Sequence, residues 1–428
     1  MVKKLLDDCF AFDADRLPHA AAIALLQARV RPVVGAESVM LAHACGRILA
    51  VPVAAPRPVP AHTNAAVDGF AFRYADYNPN TGTAFPVAGR TAAGHPLSET
   101  PGPRTAVGIF TGAIMPEGFD TVVMHEDSRM TAGLDGSCVV NVPAGLKAHA
   151  NVRKAGEDVA RGEVLFDVGH SVRPQDVAAL ASLGTAEVSC FRRLRVAVVS
   201  SGDEIVRAAG QSFEAGAVYD ANAPMLMALV QLAGAAAEDL GVWPDRADIA
   251  QSRLADAAQR FDAVVTSGGA SRGEEDHMAA ALAARGRCHL WQLAIKPGRP
   301  MFFGQIGDTV VLGLPGNPVA VFVCFLMYAW PLLRRLGGAP WSEPRRLRLP
   351  AAFTVANRKT GRREFWRGRF VEVEGALAVE KYARDGSGLV SSLRAADGLI
   401  DIDEEVTEVR RGDAVNFIPF GEFGIFGR

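Results

Sequence analysis

The sequence predicts a multidomain α/β protein in which a central parallel sheet is joined to a helical domain, an inserted β domain and a C-terminal β domain. Three observations carry this. At 428 residues the chain exceeds what one hydrophobic core usually organises. Between Arg195 and Leu336, "LRVAVVSSGDEI", "FDAVVTSGGASRGEED" and "TVVLGLPGNPVAVFV" each run from a continuous apolar strand through a glycine-containing loop into a helical or acid-capped segment. Such strands alternating with helices indicate a parallel sheet buried on both faces. On either side, short β-like runs are punctuated by glycine and proline.

In chain order, Pro18 to Arg47 is alanine- and leucine-rich with helical patterning, and "AVPVAAPRPVPAHTN" then breaks it with prolines. "VDGFAF", "FPVAGR", "AVGIFTG", "DTVVMHE" and "SCVVNVP" read as a small β domain, after which helical composition returns at "RPQDVAALASLG". Beyond Pro340 the pattern is β again, as in "RLRLPAAF", "GRFVEVEG" and "AVNFIPF". The expected domains are 1–50 with 152–192 (helical), 51–151 (inserted β), 193–338 (parallel α/β) and 339–428 (C-terminal β).

Composition removes several function classes. Lys plus Arg (45) nearly balance Asp plus Glu (47), so no global field favours nucleic acid or an anionic membrane. Cys9, Cys45, Cys138, Cys190, Cys288 and Cys324 contain no C-x-x-C pair and read as reduced thiols of a cytoplasmic protein. The start "MVKKLLDDCFAFDAD" meets acids before any long apolar region, unlike a signal peptide. The most apolar run, Val319 to Leu333, is shorter than the ~20 residues of a membrane span and reads as a buried helix.

The chemistry-bearing stretches sit where parallel strands end, the edge at which such sheets bind ligands. Asp203-Glu204 and Glu274-Glu275-Asp276 follow two of these strands. Acids there also cap the next helix. Both clusters on one edge, beside Gly268, Gly269 and Ser271, suit a ligand that brings phosphates together with Mg²⁺: backbone N–H groups take the oxygens and carboxylates the metal. "LAIKPGRP" holds Lys296 and Arg299 in a stiffened loop suited to an oxyanion. "LGLPGNPVA" offers Pro315, Gly316, Asn317 and Pro318 at a helix start that could bind an anion. Asp68 in "NAAVDGFAF" and Thr111 in "FTGAIMP" are in isolation a turn residue and a local backbone partner. Between Arg345 and Arg369 many cations face a single acid, Glu364. No nucleophile elbow, P-loop or His/Cys metal spacing occurs, and His277 reads as a helix-start residue.

Taken in order, "NAAVDGFAF", "FTGAIMP", "NVRKAGEDV", "SSGDE", "VYDAN", "SGGASRGEED", "KPGRP", "LPGNPVAVF" and "GRREFWRG" resemble the molybdopterin molybdenumtransferases, the molybdenum insertases related to the C-terminal part of gephyrin. The resemblance covers essentially the whole chain. It implies that adenylylated molybdopterin and molybdate are the substrates, that molybdenum cofactor and AMP are the products, and that Mg²⁺ assists. The central sheet would be the molybdopterin-binding domain. By motif, Asp68, Glu204, Asp245 and Asp276 would surround the metal and adenylate, with Asp68, Glu204 and Asp276 as metal ligands and Thr111 and Asp158 in the same site. Lys296, Arg299, Pro315, Pro318, Arg362 and Ser392 would bind pterin phosphate or molybdate.

Departures from the family pattern are Ala65 for a serine, Phe70 for a tyrosine, Arg272 in "GGASRG", Gln292 for a lysine and Ala320 for a serine. The last two bear on the oxyanion contacts. The resemblance further implies a homodimer whose site lies between the sheet and C-terminal domains of one subunit and the β domain of the other. The adenylyltransferase and cofactor-accepting enzymes are further candidate partners; nucleic acid and membrane are not. Two alternatives stay open at this point: an adenylyltransferase built on the same sheet, and a non-enzymatic scaffold like gephyrin.

Overall fold

A computed structural model describes residues 16–132, 137–207, 215–269 and 277–426. The central sheet has six strands in the order Ala236–Trp243, Arg195–Ser201, Ala263–Ser267, Thr309–Leu314, Pro300–Ile306, Arg287–Gln292. The first four are parallel. The last two add antiparallel, because the short turn at Gly307 between Ile306 and Thr309 allows only a hairpin. The valines that made these strands continuously apolar are sealed on both faces: Val196, Val198, Val199, Val264, Val265 and Val311 are 0% exposed.

Helices Asn222–Leu232 and Pro318–Cys324 pack on one face of this sheet, and Ala247–Arg260 with His277–Arg285 on the other. The helix His19–Arg29 joins the first group through Ala22, Ile23 and Leu26. It stops well short of the expected Arg47, since Pro32 disfavours helical backbone at Arg31, and the chain continues as the strand Ala36–Met40 paired with Glu187–Phe191. His19, which opens the helix, places Nδ1 2.8 Å from the Tyr328 hydroxyl. Burial pushes the His19 pKa down to about 4.

Two further sheets flank the centre. One, within Gly69–Val142, has the order Thr121–Met124, Gly69–Phe72, Ala106–Ile109, Thr83–Thr91, Cys138–Val142, Arg129–Ala132. Chain entering and leaving it is held by two short ribbons, Asn64–Ala65 with Val152–Arg153 and Val53–Ala54 with Val164–Phe166. The other has the order Ile295–Lys296, Arg363–Val373, Gly398–Ile402, Ala414–Pro419, Leu347–Pro350, with Ala376–Lys381 beside Arg363–Val373. Its Phe365, Leu399 and Ile418 are buried in the same core as the central helices. The pairing Lys296↔Glu364 therefore ties a central-domain loop directly to the C-terminal sheet.

The apolar run after "PGNP" forms a 19-residue helical segment, Pro318–Leu336, long and apolar enough by length and composition to cross a membrane, but 83% of it is buried inside the protein. It is a core helix, interrupted by a π turn at Phe325–Ala329.

Candidate active site

In sequence order the four parallel strands run Arg195–Ser201, Ala236–Trp243, Ala263–Ser267, Thr309–Leu314, but in space the second lies outside the first. Strand order thus reverses between Arg195–Ser201 and Ala263–Ser267, the position where open α/β sheets form a ligand crevice. Register keeps the strand ends level, with Ser200 beside Ser267 and Ser267 beside Leu314. A cavity of about 840 Å³ opens over these ends and is closed opposite by Phe365, Trp366, Arg367 and Asp385–Ser387 of the C-terminal part.

The sheet side is organised by "VYDAN". Asp220 Oδ1 accepts the N–H groups of Asn222 (3.1 Å) and Ala223 (3.0 Å), satisfying two otherwise unpaired donors at the start of helix Asn222–Leu232. Its Oδ2 accepts the Ser200 hydroxyl at 2.6 Å. Asn222 Nδ2 donates to Ser267 Oγ and to the Gly316 carbonyl, both at 2.7 Å. The three residues 220–222 thereby fix three loops against each other. Gly268 has φ +88° and a Cβ there would lie 2.5 Å from the Ser201 carbonyl, so the backbone must be bare at this point. Glu204, exposed, folds its carboxylate over Gly202, and Ser201 Oγ donates to Asp245 Oδ1 at 3.1 Å. Asp203 and Asp245 exchange backbone N–H to carboxylate bonds of 3.1 and 3.4 Å.

The opposite wall is cationic. Lys296 is 44% exposed with Nζ 3.8 Å from Glu364 Oε2. Arg367 is only 5% exposed. Its Nε donates to Ser392 Oγ at 3.1 Å and its Nη2 to the carbonyls of Arg384 and Gly386 at 3.3 and 3.4 Å. Burial lowers the Arg367 pKa, partly offset by the Asp385 charge, and among the described residues it has no ion pair. A buried guanidinium held by neutral oxygens on a cavity wall favours an incoming anion.

Known proteins resemble this chain over most of its length. Residues 17–184 match the family "MoeA N-terminal region (domain I and II)", 197–335 "Probable molybdopterin binding domain" and 348–420 "MoeA C-terminal region (domain IV)". The chain is 35% identical to a molybdopterin molybdenumtransferase of Haemophilus influenzae, covering 90% of this chain and 94% of that protein. It is 34% identical to molybdopterin molybdenumtransferase 2 of Mycobacterium tuberculosis, covering 92% and 96%. The chain belongs to the molybdopterin molybdenumtransferase family. Its fold is similar to the crystal structure of the molybdopterin biosynthesis MoeA protein of Pyrococcus horikoshii OT3, with TM-score 0.80, 27% identity and coverage of 95% of this chain and 100% of that one.

For this molybdopterin molybdenumtransferase family member, the structure gathers only part of the expected site. Glu204, Gly268, Lys296, Pro315, Gly316, Asn317 and Pro318 line the cavity. Asp245 sits one hydrogen bond behind it, and Gly269 directly follows Gly268. Ser271 and Asp276, like Arg272, Glu274 and Glu275, lie outside the described residues. Asp68, Thr111 and Asp158 do not line this chain's cavity. Asp68 and Thr111 do form a unit: the Thr111 N–H and hydroxyl both donate to Asp68 Oδ1 at 2.7 Å and hold its carboxyl below the usual range.

Three of the expected contacts are arranged differently in this chain. Arg362 is not on the cavity wall, because its Nε pairs with the buried Glu364 carboxylate at 3.0 Å, and the strand instead presents Arg367. Arg299 turns to Gln292 Oε1 at 2.9 Å and leaves the lining to Lys296. The helix start after Asn317 offers fewer free donors than its motif suggests: Pro318 has no N–H and Val319 gives its N–H to the Ser387 carbonyl at 2.9 Å. Ser392 is fully buried and acts through Arg367. Motif reading misses Asp220, Asn222 and Arg367, which line the cavity although they lie within "VYDAN" and "GRREFWRG".

Proposed function

We propose that this chain inserts molybdenum from molybdate into adenylylated molybdopterin and releases AMP, the last step in making the molybdenum cofactor. The observation that carries the reading is the cavity itself. Its glycine-lined floor, at Gly268 and Gly316, suits a phosphate-bearing ligand, and its roof carries Lys296 and the unpaired buried Arg367, which suit a compact oxyanion. Both substrates can therefore be held in one space of about 840 Å³.

Residue roles follow from position. Asn222 and Asp220 hold the strand-end loops so that backbone N–H groups meet phosphate oxygens without reorganisation. Lys296 and Arg367 orient molybdate, with Ser392 fixing the guanidinium plane. Glu204 fits Mg²⁺, since its carboxylate is exposed at the cavity edge and this ion takes one or two carboxylates besides phosphate oxygens and water. When bound, the ion would neutralise charge on the diphosphate. Among the described residues no cluster of three or more His, Cys, Asp or Glu is placed to hold a metal ion. Asp276 is proposed as a further ligand.

Asp68 and Thr111 form a preset carboxylate–hydroxyl unit away from this chain's cavity. We assign them, with Asp158, to the cavity of a second copy in a cytoplasmic homodimer built from the four domains 1–50 with 152–192, 51–151, 193–338 and 339–428. The test is to incubate the purified protein with adenylylated molybdopterin, molybdate and Mg²⁺ while following AMP. Release that requires all three supports the reading; release independent of molybdate, or consumption of ATP instead, contradicts it.

A further inference from the structure

A second cavity, of about 520 Å³, lies at the far end of the Pro318–Leu336 helical run from the first. Three separate stretches and Leu232 wall it, the stretches being Gly169–Ser171, Trp330–Pro344 in part, and Glu422–Gly424. Its apolar surface includes Leu232, Pro331 and the edge-to-face pair Trp330–Phe423, whose ring centroids are 5.3 Å apart. Set into this wall is Arg334.

Arg334 is unusual in how its charge is left. Nη2 donates to the Ser171 hydroxyl at 2.8 Å, a neutral partner. Burial lowers its pKa and no carboxylate raises it. Among the described residues no acid lies within ion-pair distance of it. The neighbouring Arg335 differs, since it spends its guanidinium on the carbonyls of Val30 and Ala339 and lines no part of this cavity. The two acids of the cavity, Glu343 and Glu422, pair with Arg346 at 3.4 Å and Arg345 at 3.9 Å. His170 is likewise committed, with Nε2 2.7 Å from Asp176 Oδ2. What remains is one partly desolvated guanidinium facing a roomy, ring-lined space.

We propose that this cavity is a binding site for a small organic carboxylate with an apolar body, held by Arg334 and Ser171 through its carboxylate and by Trp330 and Phe423 through its body. A guanidinium fork matches a carboxylate in two parallel bonds. The volume falls in the range of small-molecule sites, which pair mostly apolar walls with a few placed polar groups. A single free guanidinium matches one negative charge, so a monocarboxylate fits better than the higher charge of phosphate. The site shares no residue with the catalytic cavity and does not depend on the reaction assigned there.

Benzoate is a suitable probe, titrated calorimetrically into the full-length protein. Wild type binds it saturably at one site per chain and more tightly than inorganic phosphate. Arg334→Met weakens benzoate roughly ten- to hundredfold and Ser171→Ala by less, whereas Arg367→Ala, in the other cavity, leaves the titration unchanged. Circular dichroism checks folding, and should Arg334→Met not fold, Arg334→Lys reads the same loss of the fork. No saturable binding to wild type, equal binding to the Arg334 variants, or tighter binding of phosphate would each overturn the proposal. So would an Arg334→Met protein whose only change is in molar mass by light scattering, which would make the surface a contact between chains.

Discussion

Arg362 and Arg367 show how much of a site turns on single positions. Arg362 lies just before the strand Arg363–Val373 and Arg367 lies within it. Charge density along "NRKTGRREFWRGR" cannot separate them. Glu364 does, because the buried acid takes Arg362 on its own face and leaves Arg367 with neutral oxygens. Arg367→Ala is expected to raise the molybdate concentration for half-maximal AMP release about ten- to hundredfold, the worth of one charge-assisted contact. Arg362→Ala is expected to shift it far less. Equal shifts in the two variants, read from molybdate titrations, would return Arg362 to the site. On the facing wall, Glu204→Gln keeps size and shape but loses the charge, so Mg²⁺-dependent AMP release is expected to fall on the order of a thousandfold with an unchanged circular dichroism spectrum. A wild-type rate would leave Glu204 a loop residue only.

At the scale of elements, the central strands were legible because burial on both faces writes itself as unbroken valine runs, and their loops as glycine followed by acid. The antiparallel pair Arg287–Gln292 and Pro300–Ile306 was not, since strand direction leaves no mark on composition. Nor was the early stop of the first helix: alanine-rich patterning continued past Pro32, and the pairing of Ala36–Met40 with distant Glu187–Phe191 decided the outcome. That first helix yields a test of its packing. His19 is held neutral, with its pKa down at about 4 against 6.5 for the free side chain. The unfolded chain therefore binds the extra proton between these values, and stability contributed by neutral His19 is complete above pH 6.5 and lost as pH falls toward 4. Thermal midpoints measured across that window are expected to drop more steeply for wild type than for His19→Gln, which cannot titrate. Parallel pH profiles would mean that the His19–Tyr328 contact does not persist in solution.

For the whole molecule, nine motifs in order pointed to the family, and the family matches bear that out across the chain. What the motifs could not convey is which of them share a cavity. Sequence proximity is irrelevant to that: Lys296 reaches Glu364 through sheet pairing, while Asp68 and Thr111 sit in loops beside a different sheet from the one Glu204 follows. The proposed division of the site between two chains is tested most directly by mixing inactive subunits. Asp68→Asn and Glu204→Gln proteins are each expected to be inactive alone. After subunit exchange, if Asp68 serves the cavity of the other chain as proposed, a mixed dimer carries one cavity with both residues intact and one with neither. AMP release from adenylylated molybdopterin and molybdate should then recover to roughly a quarter of the wild-type rate for random exchange. No recovery, with mixed dimers confirmed by mass spectrometry, would contradict the divided site.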